Sequence, residues 1–196
     1  MKVENSQDFT VKVGSYCDEI ANSFIALKKQ AAIIEKIANI CCQSLTKGNK
    51  IIFCGNGGSA ADAQHLAAEL VGRYKKNRAA LAAISLVTDT SAITAIANDY
   101  SYQEIFSRQL EALGSAGDVV IAISTSGNSK NIIEVVTTAQ RKNITAVAFT
   151  NANGGVLANM ADLTLKVPAI ATNHVQEMHI ACGHMICGYV EEQFSC

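Results

Sequence analysis

The chain has 196 residues, enough for one domain with a sizeable core, and 49% of them are apolar. Sixteen basic against seventeen acidic side chains leave a net charge of −1. That balance offers no global field for nucleic acid or an acidic lipid surface, and neither is expected as a partner. The seven cysteines (17, 41, 42, 54, 182, 187 and 196) contain no CxxC pair, and an odd count with neighbours at 41 and 42 is no disulfide framework. A reducing compartment is the simpler reading. The opening MKVENSQDFT has no apolar signal core, and the longest apolar run, around Asp118–Ile123, is far too short to span a bilayer. A cytoplasmic protein is expected.

From about Phe9 to Leu45 apolar residues recur at helical spacing: Val13, Tyr16, Cys17, Ile20, Phe24 and Leu27, then Ile33, Ile34, Ile37, Ile40, Cys41 and Leu45. Two helices of ordinary length fit better than one very long one, and Lys47-Gly48-Asn49 supplies the stop. Ala32, Ile33 and Cys42 lie beside the main stripe, so residues 1–48 carry more apolar surface than one face needs. Those leading helices are expected on the sheet or at a homo-oligomer interface.

Five short apolar runs follow, each with turn signals and a helical pattern behind it: KIIFCG (50–55), LAAISL (81–86), DVVIAIS (118–124), ITAVAFT (144–150) and DLTLKV (162–167). Near-continuous apolar strands alternating with amphipathic helices predict a parallel sheet covered on both faces. The right-handed crossover rule makes this a three-layer, doubly wound α/β domain. Pro168 closes the last strand, and a final helix runs from about Asn173 to Glu192. With no internal repeat, linker or low-complexity segment, residues 1–196 read as a single domain.

In an open parallel sheet, ligands bind beyond the carboxyl ends of the strands. Cys54-Gly55-Asn56-Gly57-Gly58-Ser59 lies there, between a strand and a helix. Its glycines permit unusual φ and close approach, and the following helix N-terminus favours an anion. A plain tight turn is the alternative. Gly55-x-Gly57-x-x-Ala60 also matches a dinucleotide fingerprint, but no acidic residue ends the second strand where a ribose needs one. The second loop is Ser124-Thr125-Ser126-Gly127-Asn128-Ser129, whose four hydroxyls exceed what an N-cap requires. Neither loop holds the lysine of a nucleotide-binding P-loop.

His65 and Glu69 stand at i, i+4, one turn apart on one helix face. They could share a metal, act as a base and its partner, or be an ordinary surface pair. The last helix carries Gln176, Glu177, His179 and His184. Gln176 and His184 are separated by roughly 12 Å of rise, so both meet one ion only if their side chains converge. By spacing alone, His184 reads equally well as a core or interface histidine.

Together CGNGGSAADAQHLAAELVGRY (54–74), AIANDY (95–100), AISTSGNS (122–129) and QEMH with the later histidine (176–184) resemble the bacterial phosphoheptose isomerases of the sugar-isomerase (SIS) domain family. The similarity covers nearly the whole chain and implies a flavodoxin-like SIS fold. It implies conversion of sedoheptulose 7-phosphate to D-glycero-D-manno-heptose 7-phosphate, for the heptose of surface polysaccharide (lipopolysaccharide or capsule). It implies that Asn56, Gly57, Gly58 and Ser59 meet the sugar phosphate, that Ser124, Thr125, Ser126 and Ser129 hold it, and that Asn98 and Asp99 contact sugar hydroxyls. His65, Glu69, Gln176 and His184 match zinc ligands, with Glu69 and His184 also the acid–base pair and Glu69 and Gln176 at the substrate. A homotetramer with active sites at subunit contacts is implied too. One departure is Asn173, where relatives often carry an Asp.

Three rivals come from other classes. A SIS paralogue that binds the replication initiator without catalysis lacks the carboxylate and histidine matching Glu69 and His184, and carries Arg in place of Ser126. A sugar-phosphate sensor needs a DNA-binding domain beside it. An isomerase of a hexulose or arabinose phosphate fits the loops but not the zinc-type side chains.

Overall fold

The computed structural model describes residues 6–195. Residues 1–5, half of the opening segment MKVENSQDFT, and Cys196, the seventh cysteine, lie outside the described residues. Two helices lead: α1, Ser6–Leu27, and α2, Ala31–Thr46. A 3₁₀ turn over Lys28–Gln30 separates them, so the long periodic stretch is two helices as expected. Gly48, at φ 80°, takes the chain out of α2 in a left-handed conformation that favours glycine.

The remainder alternates strands β1 (Ile51–Gly55), β2 (Ala83–Ser85), β3 (Val119–Ile123), β4 (Thr145–Thr150) and β5 (Leu163–Lys166) with helices α3 (Gly58–Val71), α4 (Thr90–Asp99), α5 (Ser107–Leu113), α6 (Lys130–Arg141) and α7 (Thr172–Phe194). All neighbours pair in parallel, in the order β2-β1-β3-β4-β5. This is the flavodoxin-like doubly wound order, whose direction reverses between β1 and β3. Both phosphate-type loops leave those two strands, at the place where such sheets bind ligands.

Strand side chains alternate between two cores, each fully buried Phe or Leu contributing about 1.5–3 kcal/mol. Ile51, Phe53, Ile121, Ile123 and Phe149 meet α2, α3 and α7 on one face. Ile52, Cys54, Val120, Ala122 and Ala148 meet α5 and α6 on the other. The edge strand β2 pairs over three residues rather than the six of LAAISL, because only β1 borders it. The sequence reading places a helical pattern behind each strand; two helices, α4 and α5, follow β2, whereas only a 3₁₀ turn, Leu157–Asn159, separates β4 from β5. Asp89 starts α4 by accepting the Ala92 N–H at 2.9 Å, a cap signal present in Asp-Thr-Ser.

Most of α1 is uncovered by its own chain: Phe9, Val11, Val13, Tyr16 and Ile25 are all exposed. Among the described residues no helix is long and apolar enough to cross a membrane. Six cysteines are free thiols there. Cys54 is a core residue of β1, and burial pushes its thiol up to about 12, so it is no nucleophile.

Candidate active site

The two loops form one built structure. Gly57, at φ 56°, turns the chain into α3, whose positive dipole end favours an anion; no side chain caps it, and the Ser59 and Ala60 N–H groups donate to the Asn56 and Gly57 carbonyls at 3.0 Å. Gly55 must lack a side chain, since a Cβ would lie 2.5 Å from the Ser59 carbonyl oxygen. Ser59 itself is buried. Asn56 was expected at the phosphate, yet its carboxamide is engaged. It donates to Asn131 Oδ1 at 2.9 Å and accepts from Asn131 Nδ2 at 2.8 Å and from the Tyr102 hydroxyl at 3.1 Å. Asn131 is buried in the first turn of α6, so this amide pair straps the first loop to the second.

In the second loop Ser129 stands at the N-cap of α6 but makes no capping bond. Its hydroxyl instead meets Ser124 Oγ at 2.9 Å, with Ser126 Oγ 3.5 Å from Ser124. Ser124 and Ser129 thus pair with each other, Ser126 Oγ also accepts the Asn128 N–H at 3.1 Å, and Ser129 does not cap the helix. Gly127, at φ 69°, presses on the turn at Gly154 and Gly155; a Cβ there would fall 2.1 Å from the Gly154 carbonyl oxygen. Thr125 is half-buried and Ser126 exposed at the open side.

Further along α3 the second group assembles. His65 Nε2 lies 3.2 Å from Glu69 Oε1 and 2.9 Å from His184 Nε2, bridging 119 positions of sequence. Gly183 makes this meeting possible. Its missing side chain admits Leu66, whose Cδ atoms would be 2.5 Å from a Cβ, so the residues next in sequence come together. Burial lowers the proton affinity of His184, and the neighbouring His65 lowers it further. One nitrogen and one oxygen donor of α3 and a nitrogen of α7 all lie within 4.8 Å of one another. Two imidazoles and a carboxylate at that spacing are a zinc-type donor set, and here the two Nε2 atoms share a hydrogen bond.

Gln176 is placed nearer the loop, its side chain beneath Gly58 and its amide donating to Asp62 Oδ1 at 2.6 Å. Asp62 was not singled out in the sequence. It is buried, its Oδ2 has no hydrogen-bond partner among the described residues, and burial pushes its carboxyl up to about 6 against the pull of Gln176 and His65. Asn98 and Asp99 are exposed at the end of α4 and bond to each other, Asn98 Nδ2 to Asp99 Oδ1 at 2.8 Å. The structure does not join them to the loops, although Tyr102 just beyond reaches Asn56.

A parallel sheet with two donor-rich loops at its switch point can hold a phosphorylated ligand, and comparison with known proteins decides the kinship. The SIS domain model matches residues 15–151. The phosphoheptose isomerase of Akkermansia muciniphila is 53% identical over 174 residues, 89% of this chain and 92% of that protein. The chain belongs to the SIS domain family, among its phosphoheptose isomerases. The solved phosphoheptose isomerase of Neisseria gonorrhoeae is 41% identical with a TM-score of 0.89, over 94% of this chain and 99% of that one. That of Francisella tularensis is 33% identical with a TM-score of 0.91, over 96% and 99%.

Within this SIS domain, Asn173 belongs to a contact between α1 and α7. Its amide donates to the Tyr16 hydroxyl at 3.3 Å, Tyr16 bonds Glu177, and His174 Nδ1 meets Glu177 Oε2 at 2.9 Å. Sequence reasoning missed Asn131, Tyr102 and Asp62 because each acts through a partner more than forty residues away.

Proposed function

We propose that the chain interconverts sedoheptulose 7-phosphate and D-glycero-D-manno-heptose 7-phosphate. The observation that carries this reading is the gathering of His65 and Glu69, on the helix that starts at the phosphate-type loop, with His184 of α7. From Gly58 to His65 the helix advances about 10 Å. A phosphate seated at the loops therefore leaves the carbonyl end of an extended sugar near the cluster, and its binding energy positions the reacting carbons. The loops contribute Gly57, Gly58 and Ser59 and the hydroxyls of Ser124, Thr125, Ser126 and Ser129; Asn56 acts chiefly as the strut between them. Gln176, Asn98 and Asp99 are assigned to the sugar.

Carbonyl migration between C2 and C1 needs one proton moved between carbons and one between oxygens. Glu69 takes the proton from C1 of the ketose, leaving a cis-enediolate, and returns it to C2. His184 carries a proton from O1 to O2, a task suited to an imidazole, which can give and take a proton near neutral pH. His65, Glu69 and His184, joined by Gln176 if its amide turns from Asp62, would hold zinc, which when bound supplies Lewis-acid polarisation of the carbonyl.

The same reading takes residues 1–196 as a single domain and a homotetramer as the working form. Residues 1–48 then lie at the subunit interface, supported by the exposed apolar side chains of α1. It takes the cytoplasm as the compartment, supported by six free thiols, and surface polysaccharide as the destination of the heptose. The test is NMR of the sugar with Glu69→Gln. Turnover should vanish while the phosphosugar still binds; a fully active variant overturns the assignment.

A further inference from the structure

Tyr74 lies in the loop between α3 and β2, at the end of the 54–74 stretch, and has been given no role above. Its ring stacks on the His184 imidazole, with centroids 5.5 Å apart and planes inclined by 21°. Gly188 stands one turn beyond His184 on α7, and a Cβ there would lie 3.2 Å from Tyr74 Cε1, so the glycine leaves the space the ring uses. The Lys75 ammonium sits 4.8 Å from the ring centroid.

The backbone of this surface loop is tied down by one buried carboxylate. Glu191, 2% exposed, accepts the N–H groups of Tyr74, Lys75 and Lys76 at 2.8, 2.7 and 2.8 Å. Burial alone would push its carboxyl up, but these donors and Arg78 outweigh it and hold it below the ordinary carboxylate value. The Arg78 Nε lies 3.6 Å from Glu191 Oε1, while its guanidinium donates to the carbonyls of Glu69, Leu70 and Gly72 where α3 ends. One charge pair therefore fixes both the end of the helix that carries Glu69 and the loop that carries Tyr74.

A histidine half-exposed on a helix can turn about its side-chain bonds, and a loosely held ligand or acid loses its geometry. His184 is bounded by His65 Nε2 at 2.9 Å and by the Tyr74 ring. We propose that Tyr74 is a positioning residue that fixes the orientation of the His184 imidazole, held in place by Glu191 through the backbone of residues 74–76. This rests on the reading of His184 as part of the reacting cluster. Outer contacts of this kind typically alter metal affinity or activity by about 10- to 100-fold.

The test compares Tyr74→Ala with Tyr74→Phe, neither of which disturbs the Glu191 carboxylate. Three readouts are taken: the imidazole NMR signals of His184, zinc affinity by competition with a chromophoric chelator, and kcat and KM for sedoheptulose 7-phosphate. Tyr74→Ala should split or broaden the His184 signals, weaken zinc about 10- to 100-fold and lower kcat similarly, with KM within about threefold. Tyr74→Phe should restore all three to within about twofold, because the stacked face and not the hydroxyl does the orienting. Unchanged His184 signals and zinc affinity in Tyr74→Ala overturn the proposal, and so does failure of Tyr74→Phe to restore them. A wild-type protein inactive on the heptulose defeats the functional reading, while the NMR and zinc readouts still decide the role of Tyr74.

Discussion

The phosphate-type loops and the histidine–carboxylate cluster are built in opposite ways. The loops are short, contiguous and internally braced: glycine at positive φ, serine hydroxyls bonded to each other, and an amide pair joining the two. The cluster is assembled from α3 and α7 across 119 positions and stays partly open, with the His65 side chain 50% exposed and that of Glu69 19%. An anchor works best when rigid, since its whole task is to bind. Groups that move protons need access to the substrate and a proton affinity that burial has not pushed too far. Disturbing the first region should change binding and stability; disturbing the second should change turnover.

The largest effect expected is the loss of turnover in Glu69→Gln, of the order of 10²- to 10⁴-fold, with phosphosugar affinity nearly unchanged. Calorimetric binding of the sugar phosphate beside a turnover assay reads both halves of that contrast. Equal losses of binding and turnover would mean the two regions are not separable.

Gly127→Ala attacks the anchor. The new Cβ would meet the Gly154 carbonyl oxygen in a left-handed conformation, so the loop must shift. Destabilisation of about 2 kcal/mol or more is expected, with KM raised more than kcat is lowered. Urea unfolding and steady-state kinetics check it, and a wild-type KM would show that the loop does not anchor the substrate.

Away from both regions, His179 offers a pH test. It is buried with Nε2 on the Thr150 carbonyl, and burial lowers its pKa to about 4 from an ordinary 6.5. Between those values the unfolded chain binds a proton that the folded one does not. Stability therefore falls as pH drops from 6.5 toward 4, by about 1.4 kcal/mol per unit from this group. Urea midpoints at pH 7 and pH 5 should differ more in the wild type than in His179→Gln; parallel shifts would show that the histidine is protonated inside the fold.

The smallest expected effect tests the strut. Asn131→Ala leaves Asn56 without its amide partner, for a cost of about 1–3 kcal/mol. It should raise KM modestly while leaving kcat within a few-fold. If kcat falls with KM unmoved, the strut serves the cluster and not the anchor.

What the sequence determined by itself was local. The strands are legible as apolar runs because both faces of a parallel sheet are covered. The stop at Lys47-Gly48-Asn49, the glycine turns and the hydroxyl-rich loop are legible because each is set by residues a few positions apart. The pair His65 and Glu69 is legible for the same reason, one helical turn being a fixed spacing. Tertiary structure alone decided the rest. His184 joins that pair only because Gly183 lets α7 close on Leu66, and Gln176 goes to Asp62 because the helices cross there. Asn56 reads as a ligand group in its loop, and only the fold shows that its carboxamide also pairs with that of Asn131. Tyr74 and Glu191 carry no local signal at all, being ordinary residues until the fold buries the carboxylate beneath the loop. Periodicity and turn chemistry act over a few residues, whereas a side chain's partner across a hundred positions is chosen by which surfaces pack, and that depends on the whole core.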